Sequence, residues 1–279
     1  MVFLARSISA SSIAGYFNIV CIMHCESGLE SPTAGWDISL VKKGILRTHG
    51  KPLNQKLPIT PDILRKLFEV LDMECGLHKA FWCACLIAFQ AFLRKSSLLP
   101  KSGSQSDRMK ALTIGDVVLS SDGNSMLLNI RHSKTIQFRQ RVLSIPISAV
   151  PNSSLCAVEA LTTLLASLHK GIPSLPSSQP LFSYLDSSGT AVIFLNHDTF
   201  VSLLKGFLNK CGLQGSSYSG HSFRRGGCSY AFSLGIPAHL VKLRGDWKSN
   251  AYERYLTITD SQHLVFSKVF SSSLNTSNM

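Results

Sequence analysis

The chain has 279 residues and carries 28 Lys and Arg against 16 Asp and Glu, which gives a net charge of +12 and a pI near 9.5. This excess of positive charge favours an acidic polymer or an anionic surface as a partner, with nucleic acid the first choice. The apolar segment 16–23 is far shorter than the roughly 20 residues of a membrane span, and no small-residue cleavage site follows it. The sequence therefore predicts neither a membrane protein nor a secreted one.

The cysteines indicate a reducing compartment. Most of the eight lie in apolar runs such as 81–86, where reduced core thiols are expected. No CxxC pair occurs, and Cys83 and Cys85 have no matching His/Cys pair at zinc spacing. The sequence therefore predicts no metal site and no other cofactor.

The first 50 residues predict a partial helical domain. A helical pattern covers 11–25, a loop follows, and a short basic helix is predicted around 40–47. These segments hold too few apolar residues to close a core alone. The next segment, 51–56, is basic and polar with a proline, as is typical of an interdomain linker.

A second domain is predicted over 57–270, with a Ser/Asn-rich, loose tail at 271–279. It begins with Thr60 as N-cap and Pro61 at the first helical position, which predicts a helix to about residue 71. The almost continuously apolar run 78–99 predicts a buried helix that carries Arg94 near its end.

Short β-rich runs at 116–120, 125–131 and 141–147 predict a small antiparallel sheet. A loop rich in Pro, Ser and Gly is predicted from 171 to 189. Helical patterns make up the rest, at 156–169, 198–211, 222–234, 237–243 and 250–258. The predicted class is therefore α+β, a mainly helical domain with a small antiparallel sheet, preceded by a partial helical domain.

The densest chemical signal is GHSFRRGG at 220–227. His221 and Arg224 are three residues apart, so on a helix they share a face and can meet one phosphate. A bare HxxR is common by chance. His221 as a helix-start residue bonded to backbone, and Arg225 rather than Arg224 facing inward, are the alternatives at this point.

Six polar or aromatic residues, located before, within and after this motif, follow one another in a recognisable order. The series is Arg94, Lys134, His221, Arg224, Trp247 and Tyr255. In this order the sequence resembles the tyrosine recombinase or phage-type integrase family, over roughly 57–265. The HSFRRGG form with a later Trp is similar to eukaryotic transposon-borne members, the Crypton-like elements. The resemblance implies that 1–50 is the remnant of a core-binding (SAM-like) domain, about half of which is missing.

The resemblance also implies a function: site-specific cutting and rejoining of double-stranded DNA through a 3′-phosphotyrosyl intermediate. Arg94 and Arg224 would clamp the phosphate oxygens, where negative charge builds up, without a metal. Lys134, on a hairpin, would protonate the leaving 5′ hydroxyl. The energy of the broken bond is conserved, so ATP is not needed.

The remaining roles concern the nucleophile. Tyr255 would attack the phosphorus, although its free pKa near 10 makes it a weak nucleophile at neutral pH. His221 would bind the phosphate and help to take the tyrosine's proton. Trp247 would donate its indole N–H to the phosphate while packing the tyrosine helix, and core packing alone is the alternative for it.

The sequence departs from the family pattern in two places. Ser97 stands where many members carry an acidic residue, so an orienting partner is lost. Trp247 comes one residue later than an ungapped alignment would place it, at Asp246. We assign the role to Trp247 with a one-residue slip.

Two assignments have close rivals. Arg131, His132 and Arg139 lie near Lys134, and any of them could occupy the active-site side of the hairpin. Tyr252 precedes Tyr255 by three residues, on the same helix face if the segment is helical.

Basic residues at the linker are candidates for contacts with the DNA backbone, or else form a solvated face. They are Lys42, Lys43, Arg47, Lys51 and Lys56, and Arg108 and Lys110 could act similarly. The family implies a homo-tetramer on two duplexes, in the nucleus, with no membrane and no small-molecule substrate. The alternative is a catalytically inactive, mobile-element-derived DNA-binding protein, and a basic structural protein or a type IB topoisomerase fits less well.

Overall fold

The computed structural model describes residues 7–50, 55–138, 140–172, 174–255, 264, 265, 267, 268 and 270–272, without the side chains of Ser11, Arg254 and Tyr255. The chain divides into two compact units, at residues 55 and 56. The boundary lies at the end of the predicted linker. The identity of the first unit as a core-binding domain stays a prediction.

The first unit contains two helices. Helix α1 (Ala10–Glu26) begins where the Ser9 side chain accepts a hydrogen bond from the amide of Ser12. Helix α2 (Trp36–His49) is longer than the predicted 40–47 and starts at the acidic first turn. The core between them consists of Ile13, Phe17 and Ile45, so it is small, as the composition indicated.

The second unit opens with the predicted capped helix. In α3 (Pro61–Glu69) the Thr60 hydroxyl accepts from the amide of Ile63, and Pro occupies the first turn. Helix α4 (Gly76–Gln90) follows, and residues 80–89 are all buried. Burying a large apolar side chain contributes roughly 1.5–3 kcal/mol, so α4 is the central element of this unit.

The predicted helix 78–99 is wrong in its second half. Helix α4 ends at Gln90, and Phe92 has a left-handed backbone with φ of 52°. A residue with positive φ cannot continue an α-helix, so the chain turns. Arg94 then becomes the N-cap of a short helix α5 (Lys95–Leu98) rather than the end of a long one.

A three-stranded antiparallel sheet follows helix α6 (Gln105–Arg108) and a 3₁₀ turn (Ile114–Asp116). Its strands are β1 (Val117–Leu119), β2 (Ser125–Ile130) and β3 (Leu143–Ser148), in that order. On β2, alternate residues are buried, so one face lies on the core. We call residues 131–142, between β2 and β3, the lysine loop.

The remaining elements are mostly helical. They are α7 (Ala157–Gly171), the hairpin β4 (Ser183–Leu185) and β5 (Val192–Phe194), α8 (His197–Lys210), α9 (His221–Ser233), α10 (Ala238–Arg244) and two 3₁₀ turns (Gly215–Ser217 and Asn250–Tyr255). Strand β4 lies inside the segment predicted as loop, so that prediction is wrong there. The predicted α-helix 250–258 is a 3₁₀ turn up to residue 255, and residues 256–258 lie outside the described part.

The predicted fold class is confirmed, since helices dominate and both sheets are small and antiparallel. Within the described ranges, no helix combines the length and the apolar character needed to cross a membrane.

Candidate active site

Two glycines set the position of α9. A Cβ added at Gly226 would lie 1.7 Å from the carbonyl oxygen of Ile59, and one at Gly227 would lie 2.1 Å from that of Phe89. Any side chain at these two positions would therefore push α9 away from the segment before α3 and from the end of α4. The Gly-Gly pair allows the contact that brings Arg224 to the turn after α4.

Arg224 is buried, with 2% of its surface exposed. Its Nη1 donates to the carbonyl of Phe92 at 2.5 Å, and its Nη2 donates to the carbonyl of Gly245 at 2.6 Å. The Trp247 ring covers the guanidinium, with 3.7 Å between the ring centroid and Cζ. We call this group, Phe92, Arg224, Gly245 and Trp247, the arginine wall.

This arrangement differs from a phosphate clamp open to solvent. Each terminal nitrogen of Arg224 donates one hydrogen bond to a backbone carbonyl, and the side chain is buried, so its guanidinium is not exposed to solvent in this structure. Arg225, the alternative, is half-buried and points elsewhere, since its Nη1 donates to the carbonyl of Lys56 at 3.2 Å. Of the two arginines, only Arg224 therefore belongs to the arginine wall.

A second arginine, which the sequence did not single out, completes the end of α4. Nε of Arg244 donates to the carbonyl of Gln90 at 2.8 Å, and its Nη2 donates to that of Pro146 at 3.2 Å. The last carbonyls of a helix lack partners within the helix, and cationic side chains satisfy them well. Arg244 and Arg224 together bind the carbonyls at and just beyond the end of α4.

His221 begins α9 beside three positive charges. Although part of the residue is exposed, desolvation of its ring is the main cause that lowers its pKa. The charges of Arg94, Arg224 and Lys95 lower the pKa further, in that order. The lowered pKa favours the neutral imidazole, which keeps one ring nitrogen available as a proton acceptor.

Lys95 is the member of this group that sequence reasoning missed. A Cβ added at Gly220 would lie 2.9 Å from Cδ of Lys95, so the lysine side chain runs directly along the residue before His221. The adjacency of Lys95 to Arg94 was the available signal. Ser97 is buried at 4% exposure, and its amide donates to the carbonyl of Arg94, so it supports the backbone of α5.

The turn between α10 and Trp247 has an unusual backbone. Asp246, in this turn, has a left-handed conformation with φ of 54°. A Cβ at Gly245 would lie 1.7 Å from the Trp247 ring, so the glycine makes room for the indole to fold back onto Arg224. The assignment of the catalytic role to Trp247, with a one-residue slip, stays a prediction.

Lys134 lies at the tip of the lysine loop. Ser133 and Ile136 exchange two backbone hydrogen bonds across a tight turn, and Lys134 is exposed within it. Of its rivals, Arg131 is bound to Asp116 by a 2.6 Å ion pair, which commits it to the sheet. Arg139 lies outside the described residues.

His132, the third rival, is half-buried and lines a groove of about 790 Å³ beside the lysine loop. The same groove is lined by Arg108, Arg131 and Arg141. Two of these arginines are ion-paired, Arg131 with Asp116 and Arg141 with Asp246.

The two tyrosines differ in what the structure describes. Tyr252 is 9% exposed, and its ring centroid lies 6.0 Å from that of Trp247. It therefore packs in the small apolar cluster that also contains Phe92 and Trp247 of the arginine wall. The backbone of Tyr255 lies in the last 3₁₀ turn, and its side chain is outside the described part of the structure.

The basic residues proposed to contact the DNA backbone differ in their exposure and in their contacts. Lys42 lies over the Phe17 ring at 4.2 Å, whereas Lys43 and Arg47 are exposed on α2. Lys56 is exposed and donates to the carbonyl of Ser216 at 2.8 Å. Lys51 lies outside the described residues. Among the residues with described positions, no group of three or more His, Cys, Asp or Glu could hold a metal ion.

Comparison of the sequence with models of protein families and with curated proteins finds no match. Solved structures do match. The chain is similar to the Tn1549 transposon integrase in complex with transposon right end DNA, with a TM-score of 0.58 and 15% identity over 95% of this chain and 81% of that one.

Two further structures are similar. One is the XerH site-specific recombinase bound to palindromic difH substrate in a post-cleavage complex, with a TM-score of 0.54 and 13% identity over 95% of this chain and 71% of that one. The other is the XerA recombinase, with a TM-score of 0.51 and 13% identity over 95% and 83%. The chain therefore has the fold of these recombinases.

Proposed function

We propose that this chain is a site-specific recombinase or integrase that cleaves and rejoins DNA through a 3′-phosphotyrosyl intermediate. The observation that carries the proposal is the arrangement at the start of α9, where the Lys95 side chain runs along Gly220 before His221 and the buried Arg224 follows one turn later. This arrangement occurs on a fold shared with recombinases, two of which are described in complexes with DNA.

The proposed chemistry uses the residues in this order. The oxygen of Tyr255 attacks the phosphorus while His221 accepts the phenolic proton. The P–O5′ bond breaks, and the departing 5′ oxygen takes a proton from the ammonium of Lys134. Arg94 and the field of the buried Arg224 stabilise the charge on the non-bridging oxygens. The phosphotyrosyl bond stores the energy for rejoining, so the reverse steps seal a strand.

The partner we propose is double-stranded DNA. The net charge of +12 supports it, and so does the basic groove beside the lysine loop. By the family resemblance, we further propose a homo-tetramer on two duplexes, a eukaryotic transposon-borne origin and a nuclear location.

One observation favours a second candidate, a catalytically inactive DNA-binding protein. Arg224 is buried, and its terminal nitrogens already bind two carbonyls. If this arrangement persists on DNA, the phosphate receives less stabilisation than two open guanidinium groups would give. Binding without chemistry would follow.

A covalent-adduct assay separates the two candidates. The chain is incubated with nicked, labelled duplexes from its own genomic flanks, and protein–DNA complexes that survive denaturation are measured. We expect an adduct that Tyr255→Phe abolishes and that the matched variant Tyr252→Phe retains. Firm binding without an adduct supports the second candidate, and loss of the adduct only in Tyr252→Phe overturns the assignment of the nucleophile.

A further inference from the structure

Asp246 links two parts of the second unit that lie far apart in sequence. Its carboxylate accepts a hydrogen bond from the hydroxyl of Thr135 and forms an ion pair with Arg141. Thr135 follows Lys134 directly, and Arg141 stands just before β3. One carboxylate therefore holds the lysine loop near its tip and at its far end.

The carboxylate is placed to form strong bonds. Its side chain is only 16% exposed, and charge-assisted hydrogen bonds gain strength where solvent is excluded. Burial by itself would raise the pKa of Asp246, but donation by Thr135 and Arg141 outweighs it, so the pKa is lowered. The Thr135 hydroxyl also lies 2.9 Å from that of Ser133, which extends the bonded group to the residue before Lys134.

In sequence, the same aspartate stands between two residues of the arginine wall, Gly245 and Trp247. The carbonyl of the preceding Gly245 accepts from Arg224, and the ring of the following Trp247 covers Arg224. The left-handed backbone of Asp246 turns the chain between these two contacts. Asp246 therefore connects the lysine loop to the arginine wall.

The geometry points to Asp246 as a positioning residue that latches the lysine loop, so that the Lys134 ammonium is held where the 5′ oxygen leaves. This inference rests on the proposed function for its chemical part. In that step the P–O5′ bond breaks, and the oxygen takes a proton from the ammonium, which becomes a neutral amine. An unlatched loop would still fold, but it would present Lys134 to the leaving oxygen for a smaller fraction of the time.

The latch itself is tested without DNA. Hydrogen–deuterium exchange is measured at the amides of Ser133 and Ile136, which pair across the turn around Lys134. We expect Asp246→Ala and Thr135→Val to raise exchange at both amides by about 10-fold. The matched control is Asp186→Ala, which removes a carboxylate from the β4–β5 hairpin turn. Unchanged exchange in both latch variants overturns the inference, whatever happens on DNA.

The chemical consequence is tested with a second substrate. Asp246→Ala should slow adduct formation about 100-fold on an ordinary phosphodiester, the range of a lost general acid. A duplex with sulfur at the bridging 5′ position should restore the rate to within about 3-fold of the wild type, because a thiol is far more acidic than an alcohol and leaves without a proton.

Equal slowing on both substrates would mean that Asp246 supports the arginine wall alone, and it would overturn the positioning of Lys134. Lys134→Ala serves as the comparison, because a missing acid should be rescued by sulfur in the same way. If the wild type forms no adduct on either substrate, the proposed function fails, and the exchange measurement alone then decides on the latch.

Discussion

The arginine wall and the lysine loop hold their cationic residues in opposite ways. Arg224 is buried, and two backbone carbonyls and an indole ring fix it. Lys134 is exposed at the tip of a turn, and its loop is bound to the arginine wall through Asp246. In the proposed function, Arg224 acts through a fixed electrostatic field, whereas Lys134 must reach the leaving oxygen.

The difference follows from the two kinds of chemistry. A charge that stabilises a transition state works best when it is preorganised, because nothing then has to reorient during the reaction. A proton donor must come within hydrogen-bond reach of the leaving oxygen, so it needs access to the substrate. The fold places Arg224 against a core cluster and the proposed proton donor, Lys134, on a loop.

The largest expected effect tests the arginine wall. Arg224→Ala removes the donors to the carbonyls of Phe92 and Gly245 and should lower the free energy of unfolding by about 3 to 5 kcal/mol. Arg225→Ala, next to it, removes a bond to an exposed residue and should cost about 1 kcal/mol or less. Urea unfolding of both variants measures the two effects. Equal losses of unfolding free energy in the two variants would show that Arg224 stabilises the fold no more than Arg225 does.

The next effect tests the lysine loop. Lys134→Ala should leave the free energy of unfolding within about 0.5 kcal/mol, because the side chain is exposed. Adduct formation should fall about 100-fold or more in the same variant. A stability loss as large as that of Arg224→Ala would contradict the contrast between the two groups.

The smallest expected effect concerns the positive charge of Arg94 beside His221. Arg94→Gln removes one of the positive charges that lower the pKa of His221, so that pKa should rise towards its usual value. The imidazole signals followed by NMR over pH report it. Arg65→Gln, an exposed arginine on α3, is the control and should leave the pKa unchanged. An unchanged pKa in Arg94→Gln would show that Arg94 and His221 do not share a site.

The same shift has a consequence for stability. Because the folded pKa of His221 is below the unfolded value of about 6.5, the unfolded state binds the proton more readily. The contribution of His221 is fully present above that value, and it is lost as pH falls from there through the folded pKa. In Arg94→Gln, the stability that is lost at acid pH through protonation of His221 should be smaller.

Much of the fold was accessible to sequence reasoning because local signals are strong. Thr60 and Pro61 start α3 as predicted, since a capping hydroxyl and a fixed φ act within one turn. The β-rich run that forms β2 was visible in the sequence, and alternate residues of this strand are buried on one face. The GHSFRRGG motif likewise predicted a helix beginning near His221.

The remainder depends on contacts between distant segments. Nothing local forces Phe92 into a left-handed turn, and its carbonyl is held there by Arg224. Strand β4 has only three residues, too few to show a period of two within a stretch rich in Pro and Ser. Asp246 was noted only as an alignment slip, because its partners are 111 and 105 residues away.

The bonds at the end of α4 also constrain when the site exists during synthesis. The carbonyl of Phe92 is bound by Arg224, which lies 132 residues later in the chain. The carbonyl of Gln90 is bound by Arg244, which lies 154 residues later. At about 5–20 residues per second, the ribosome needs roughly 8–30 s to make the longer span. During that interval α4 lacks the side chains that bind the carbonyls at its end, so a nascent chain with a complete α4 still has no arginine wall.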